Sequence, residues 1–282
     1  ISEAFNETGI GYLLLSDFQH AKENFNSSME FGDYSGSVNH SYLAMINLAQ
    51  CYQKDGDFIS AKLYANKYTR YALDVEKFES AANGYSFLGQ ISMDENKLDK
   101  AIVFFNKQME YAQKSSAPLI LTRAKNNLAI TLFLQGKSKE ALQLFQEVLS
   151  ERKAQGVIIY LCDAYLNLGE LYIEIHDSET SKKYLDSSIH LAEKHGLITN
   201  HIEALEMCLG LNESTAVKYE ILVLKSKQKR ILVKQRNERK LKAVPMNNKI
   251  APGNLPWYIY LVFFIIPIVL YMFFRKSLSD EG

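Results

Sequence analysis

Small and bulky apolar residues recur in fixed phase along the first part of the chain. Gly9, Ala49, Gly89, Ala129 and Gly169 stand forty residues apart. A second small column, Ala21, Ala61, Ala101, Ala141 and Ser181, follows each by twelve. Leu48, Leu88, Leu128 and Leu168 precede the first small residue in four copies, and Tyr12, Tyr52, Ser92, Leu132 and Tyr172 come three after it. Within each unit the apolar positions fall three and four apart, so they line one face of a helix. The small residue lets a neighbouring helix approach where a bulky side chain would collide. Twelve residues between small positions fit two antiparallel helices joined by a tight turn. Gly56, Gly136, Ser16 and Asn96 occupy that turn and are all turn-compatible. Phe25, Phe105, Phe145 and Leu185, four residues past the second small position, read as anchors into the next hairpin. Ala65 breaks this column, with Tyr64 beside it as the substitute.

These columns resemble the tetratricopeptide repeat, whose consensus places a Leu-Gly pair, a Tyr, an Ala and an aromatic residue at such offsets. The forty-residue form, with Asn126-Asn127-Leu128-Ala129 and Gln135-Gly136-Lys137, is most similar to the repeats of kinesin light chain and of bacterial regulatory arrays. The resemblance spans residues 2–195 and implies an all-α fold, a right-handed superhelical solenoid of five hairpins over residues 1–200. One hairpin cannot bury both its faces, so the array needs a cap. Residues 201–244 supply a degenerate capping hairpin. His201 to Leu209 reads as its short first helix, Gly210 to Asn212 as the turn, and Ser214 as the N-cap of a long basic helix. That helix is expected to end near Ala243, before Pro245. A linker, 245–256, follows.

Residues 257–274 contain no charge and would reach roughly 27 Å as a helix, close to the ~30 Å hydrocarbon core of a bilayer. A transmembrane helix is the expectation. Trp257, Tyr258 and Tyr260 at one end and Tyr271 at the other match interfacial aromatic belts, and Arg275 and Lys276 close the segment. Pro267 is tolerable within such a span. The short tail 275–282 reads as truncated ahead of an output domain, and any signal peptide is expected upstream of Ile1.

Charge divides the chain. Lys plus Arg and Asp plus Glu are 32 each, a net of zero. Residues 1–224, however, hold 20 basic and 29 acidic side chains, a net −9, against nine basic residues and Glu238 alone in 225–242, a net +8. An acidic body repels phosphate, so nucleic acid is not an expected partner of the array. The basic neck has three readings: a solvated helix face, a coiled-coil stalk built on Val217, Ile221, Leu224 and Ile231 with Gln228 and Gln235 in core positions, or contact with anionic lipid headgroups. Cys51, Cys162 and Cys208 lack the paired spacing of a zinc or redox site and read as packing residues.

No phosphate loop, nucleophile elbow or zinc motif is present, and the six His are scattered. No enzyme activity, catalytic residue, cofactor or metal site is expected. The first helices of stacked repeats line a groove, and two residues before the small position stand Asn47, Asn127 and Asn167, with Phe87 and Glu7 in the other copies. In kinesin-light-chain-like repeats the matching Asn contacts the backbone of a bound peptide, so the resemblance implies that role for these three. An amide both donates and accepts, which suits an extended backbone. Hydrogen bonding between adjacent repeats is the competing use of the same amides. Asn126, Gln50, Gln90 and Glu170 share that face, Asn83 and Arg123 lie at the entrance of their helices, and Phe87 divides the groove or gives it an apolar pocket.

Two functions are thus expected. In one, a membrane-anchored module of a bacterial sensory or regulatory protein binds a peptide or protein and passes its state through the span. In the other, a tail-anchored scaffold faces the cytosol. Arg239, Lys240, Lys242 and Lys249 outnumber Arg275 and Lys276, which favours a cytoplasmic array. The resemblance to bacterial membrane regulators implies an extracytoplasmic one, and that placement is the expectation carried forward.

Overall fold

A computed structural model describes residues 1–34, 38–211 and 214–242, and over these the protein is built of α-helices alone. The first hairpin pairs α1 (Ser2–Leu14) with α2 (Phe18–Tyr34), and the second pairs α3 (Val38–Lys54) with α4 (Phe58–Asp74). The third is α5 (Phe78–Asp94) with α6 (Leu98–Lys114), the fourth α7 (Pro118–Leu134) with α8 (Ser138–Gln155), and the fifth α9 (Ile158–Glu174) with α10 (Ser178–His195). A sixth pair, α11 (Ile198–Leu211) and α12 (Thr215–Lys242), follows.

The turn column works through backbone conformation. Ser16, Gly56, Asn96, Gly136 and His176 all take positive φ, between 56° and 82°. Each ends the first helix of its hairpin in the left-handed region, where a side chain is strained and glycine is not. A second such column, Glu76, Ser116, Gly156 and Gly196, ends the second helices. Where the following residue is Asp57 or Asp177, its carboxylate accepts the Ser60 or Thr180 backbone N–H at 3.0 Å and caps the next helix.

The small residues mark the crossings inside each hairpin. A Cβ on Gly9 would lie 2.6 Å from the Phe25 ring, and one on Gly169 would lie 2.6 Å from Leu185. The bulky column therefore seats on the small residue of its own hairpin, as well as meeting the next. Phe25 shares a buried cluster with Leu48 and Cys51, and Phe145 one with Leu168 and Leu171. Ser181 exploits the same close approach, donating its hydroxyl to the Gly169 carbonyl at 2.8 Å. In the second hairpin Ala65 faces Ala49 within one cluster, and Tyr64 fills the space by stacking on Tyr52 at 5.6 Å. Tyr172 and Tyr184 repeat that stack at 5.5 Å. Ion pairs tie hairpin to hairpin: Lys22 to Asp55 at 2.6 Å, and Lys62 to Glu95 at 2.8 Å.

The capping pair differs from expectation. The helix expected to start at His201 begins at Ile198, because Gly196 already closes α10, and it runs through Gly210 to Leu211. Gly210 lies inside α11 and, unlike Gly196, takes no positive φ, so it marks no turn. Part of the stripe that one of the three readings made a coiled-coil seam packs within the chain, while Ile231 of the same stripe is 39% exposed. Ile221 is buried with Ile202 and Leu205, Val217 and Leu224 pack beside it, and Gln228 donates to Thr199 Oγ1 at 3.0 Å. Val217, Ile221 and Leu224 of α12 cover the apolar side of α11.

No helix among the described residues is long and apolar enough to cross a membrane. The stretch 257–274, the linker 245–256 and the tail 275–282 lie outside the described residues.

Candidate functional site

The first helices α3, α5, α7 and α9 carry every residue singled out for binding. Asn47 donates to Asn6 Oδ1 at 2.9 Å, Asn167 donates to Asn126 Oδ1 at 2.9 Å, and Asn127 reaches Ser86 Oγ at 3.5 Å. Each bond joins positions forty-one apart in adjacent repeats, so these amides form a ladder between neighbouring first helices. The ladder follows sequence: where the column has Phe87 instead of Asn, the preceding repeat offers Ile46. One N–H of each Asn is spent on the neighbour, which leaves its second N–H and its carbonyl oxygen. Gln50, Gln90 and Glu170 are exposed one turn further along, and Phe87 is half-buried against the second hairpin's core. Burial by the surrounding wall raises the Glu170 carboxyl although its side chain stays open to solvent.

Four of the ten residues converge. Asn83 of α5 and Arg123, Asn126 and Asn127 of α7 line a concavity of about 520 Å³ that reaches α9. The other six, Asn47, Gln50, Phe87, Gln90, Asn167 and Glu170, lie elsewhere on these helices.

Side chains absent from the sequence reading complete this pocket. Arg152 and Gln155 enter from the last turn of α8, and Tyr160 and Asp163 from α9. Arg123 donates to Asn83 Oδ1, and Arg152 donates to the Tyr160 carbonyl while its guanidinium sits 5.7 Å from the Tyr160 ring. Arg152 is 5% exposed. Burial pulls both arginines below their ordinary pKa, and it raises Asp163, whose carboxylate accepts from Asn200 at 2.7 Å. Gln155 bonds Thr122, which donates to Glu151, which in turn holds Lys125 at 2.6 Å. Asn83, Arg123 and Asp163 form a forty-residue column that periodicity could have exposed. Arg152 belongs to no polar column, so its role needed coordinates.

Among the described residues, no group of three His, Cys, Asp or Glu could hold a metal ion. Cys51 and Cys162 are buried and free, and burial pushes the Cys51 thiol up to about 11, so it behaves as a packing residue.

Sequence comparison fits this geometry. Models described as the tetratricopeptide repeat match residues 82–115, 121–154 and 163–195, the third, fourth and fifth hairpins. The chain carries tetratricopeptide repeats. The chloroplastic protein FLUORESCENT IN BLUE LIGHT of Arabidopsis thaliana is 29% identical over 101 residues, 36% of this chain and 32% of the relative, so the chain spans about a third of that protein's length. The tetratricopeptide-like repeats of a kinesin light chain from Podosopora anserina superpose with TM-score 0.57 at 14% identity, over 69% of this chain and 95% of that one. The Rap conjugation gene regulator of plasmid pLS20, solved in complex with a Phr peptide, gives TM-score 0.63 at 13% identity, over 85% of this chain and 73% of that one. At such identities the likeness establishes a tetratricopeptide solenoid and nothing finer.

Proposed function

We propose that this tetratricopeptide array is a non-catalytic module that binds an extended peptide or protein segment along its odd-numbered helices. The observation that carries the reading is the pocket joining α5, α7 and α9, flanked by amides that each keep a free donor and acceptor. An extended backbone offers alternating N–H and C=O groups, which such amides match without regard to sequence. The peptide complex of the pLS20 regulator supports the reading through its shared fold. The full chain in detergent, tested by fluorescence anisotropy against a labelled randomised hexapeptide pool, should bind a subset of sequences. Asn127→Ala with Asn167→Ala should weaken that binding at least tenfold. Equal binding by the double variant moves the site elsewhere.

We further propose that the array is held at a membrane by residues 257–274, with the basic neck 225–242 beside anionic headgroups, and that it faces away from the cytoplasm as the sensory part of a bacterial regulator. The support is the charge-free apolar stretch with its aromatic ends. The excess of Lys and Arg on the array side favours the second reading, a tail-anchored scaffold in the cytosol. Labelling Asn254→Cys and Ser277→Cys in intact cells with a membrane-impermeant maleimide separates them. Reaction at position 254 alone supports the sensory orientation, reaction at 277 alone supports the scaffold, and reaction at both removes the span.

A further inference from the structure

α12 carries apolar side chains on two opposite sides. One side holds Val217, Ile221 and Leu224 against α11. On the other, Tyr219, Leu222 and Val233 are 71%, 65% and 51% exposed, and Val223 joins them. With Ile231 and Leu232 the helix exposes six large apolar residues, whereas no other helix among the described residues exposes more than two. At 3.6 residues per turn, positions 219, 222, 223 and 233 fall on one stripe. Exposed Lys218 and Lys229 border that stripe on one edge, Lys227 and Lys234 on the other, and Arg230 lies within it. Glu220, the one acid between 215 and 235, is turned to His201 Nε2 at 3.4 Å. The helix also outruns its neighbour: Gln228 reaches Thr199 in the first turn of α11, α12 continues to Lys242, and every residue from 229 to 235 is exposed. A helix without packing on an apolar face is marginal in water, so this length calls for a partner.

We propose that this outer stripe of α12 lies in the surface of an anionic lipid bilayer, its apolar side chains among the headgroups and its bordering lysines on lipid phosphate. The proposal rests on the membrane reading above and adds which face of the helix meets lipid and that the contact is partly apolar. Charge selects the occupant. A second copy on the same stripe would bring Lys229 and Arg230 against their own counterparts, with no acid on the stripe to offset them. An anionic surface attracts those same side chains. Lysines beside an apolar stripe lay their stems along it and extend their ammonium groups to the headgroups, which is how an interfacial helix sits. Because the stripe faces away from α11, the helix can hold the array on one side and lipid on the other. Chain length agrees. The fourteen residues 243–256 reach at most about 50 Å fully extended, so a span at 257–274 keeps the end of α12 near lipid.

The test uses the full chain carrying Cys208→Ser, reconstituted in nanodiscs of phosphatidylcholine alone or mixed with phosphatidylglycerol; Cys51 and Cys162 are buried and escape labelling. An environment-sensitive fluorophore is placed singly at Leu222→Cys, Val233→Cys, Ile59→Cys or Phe264→Cys, and nitroxides on the lipid acyl chains quench it. Ile59, 80% exposed on α4, reports an apolar side chain outside α12, and Phe264 reports the span itself. Quenching at 222 and 233 should be about threefold greater in the mixed discs than in phosphatidylcholine, and absent at 59. Lys229→Gln with Arg230→Gln should lower it by about half. Quenching at 264 but not at 222 and 233 overturns the interfacial helix and leaves the span standing. No quenching at any position removes both. Equal quenching at 222 and 233 in the two lipids overturns the choice of an anionic surface. Emission at 222 that shifts to the blue with protein concentration, without quenching, means that a second copy covers the stripe and overturns the proposal.

Discussion

Gly89 lies against the ring of Phe105 so closely that a methyl group on it would sit 2.7 Å from Cζ and nearer still to Cε1. Phe105 is fully buried and cannot swing into solvent. Gly89→Leu should therefore cost about 1–3 kcal/mol through overpacking. Gly89→Ala should stay within about 1 kcal/mol of the parent, since Ala gains roughly 1 kcal/mol of helix propensity over Gly and partly offsets the clash. The fourth hairpin accepts that arrangement already, with Ala129 in one cluster with Phe145. Urea unfolding of both variants checks the pair, and a Leu variant as stable as the parent would mean the crossing is loose.

His176 is exposed and holds φ at 63°, where Gly56 and Gly136 stand in equivalent turns. The left-handed conformation costs a side-chain-bearing residue about 1–2 kcal/mol. Part of that gain is returned through the extra freedom of Gly in the unfolded chain. His176→Gly should therefore stabilise by about 0.5–1 kcal/mol, and Gly136→Ala should lose about 1 kcal/mol. Opposite signs in thermal melts confirm the assignment, and matching signs refute it.

Periodicity exposed what repeats and hid what does not. Gly9, Gly89 and Gly169, each pressed on its own hairpin's anchor, were visible as a column because every copy solves the same packing problem. The Asn ladder was visible as residues, yet its direction was not. Asn167 could equally have faced a ligand, and only coordinates place its N–H on Asn126. Arg152 was invisible because it occurs in one copy and enters the site from a second helix. Val217, Ile221 and Leu224 left the readings of the neck open for a different reason: a heptad-like stripe reads the same whether its partner is another chain or α11.

Gln108 is completely buried in α6, and neither its amide nitrogen nor its oxygen has a partner. A buried amide left unpaired costs about 1–3 kcal/mol relative to an apolar group of the same shape. Gln108→Met keeps length and flexibility while removing both polar atoms. The variant should be more stable by about 1–2 kcal/mol. Denaturant midpoints measure this directly, and a destabilised variant would show that the amide is held by something bound beside it.

Asp57 and Asp177 are held below the ordinary carboxylate range, first by hydrogen bonding from Ser60 and Thr180 respectively. A folded pKa below the unfolded one means the contribution is complete above the ordinary carboxylate pKa and is lost as pH falls through the folded value. Burial raises Asp163 and Glu203, which works in the opposite direction at pH values above the ordinary carboxylate range. The caps are therefore isolated by difference. Asp57→Asn with Asp177→Asn keeps capping without a titrating group, so its stability should fall less than the parent's between about pH 5 and pH 3. Parallel melting curves across that range would remove these carboxylates from the acid response.

Ile221 decides what the long basic helix does. Its side chain is buried on Ile202 and Leu205, with Val217 and Leu224 alongside, whereas Tyr219 on the same helix is 71% exposed. If this stripe closes the array, Ile221→Ala should cost about 2–4 kcal/mol and leave the oligomeric state unchanged. Tyr219→Ala should cost less than about 0.5 kcal/mol. A dimer seam on the same stripe would behave differently, because Ile221→Ala would then shift the association equilibrium and make stability depend on protein concentration. Sedimentation and denaturation of both variants at two concentrations tell these apart. A concentration-dependent midpoint in the parent that vanishes in Ile221→Ala would overturn the capping role.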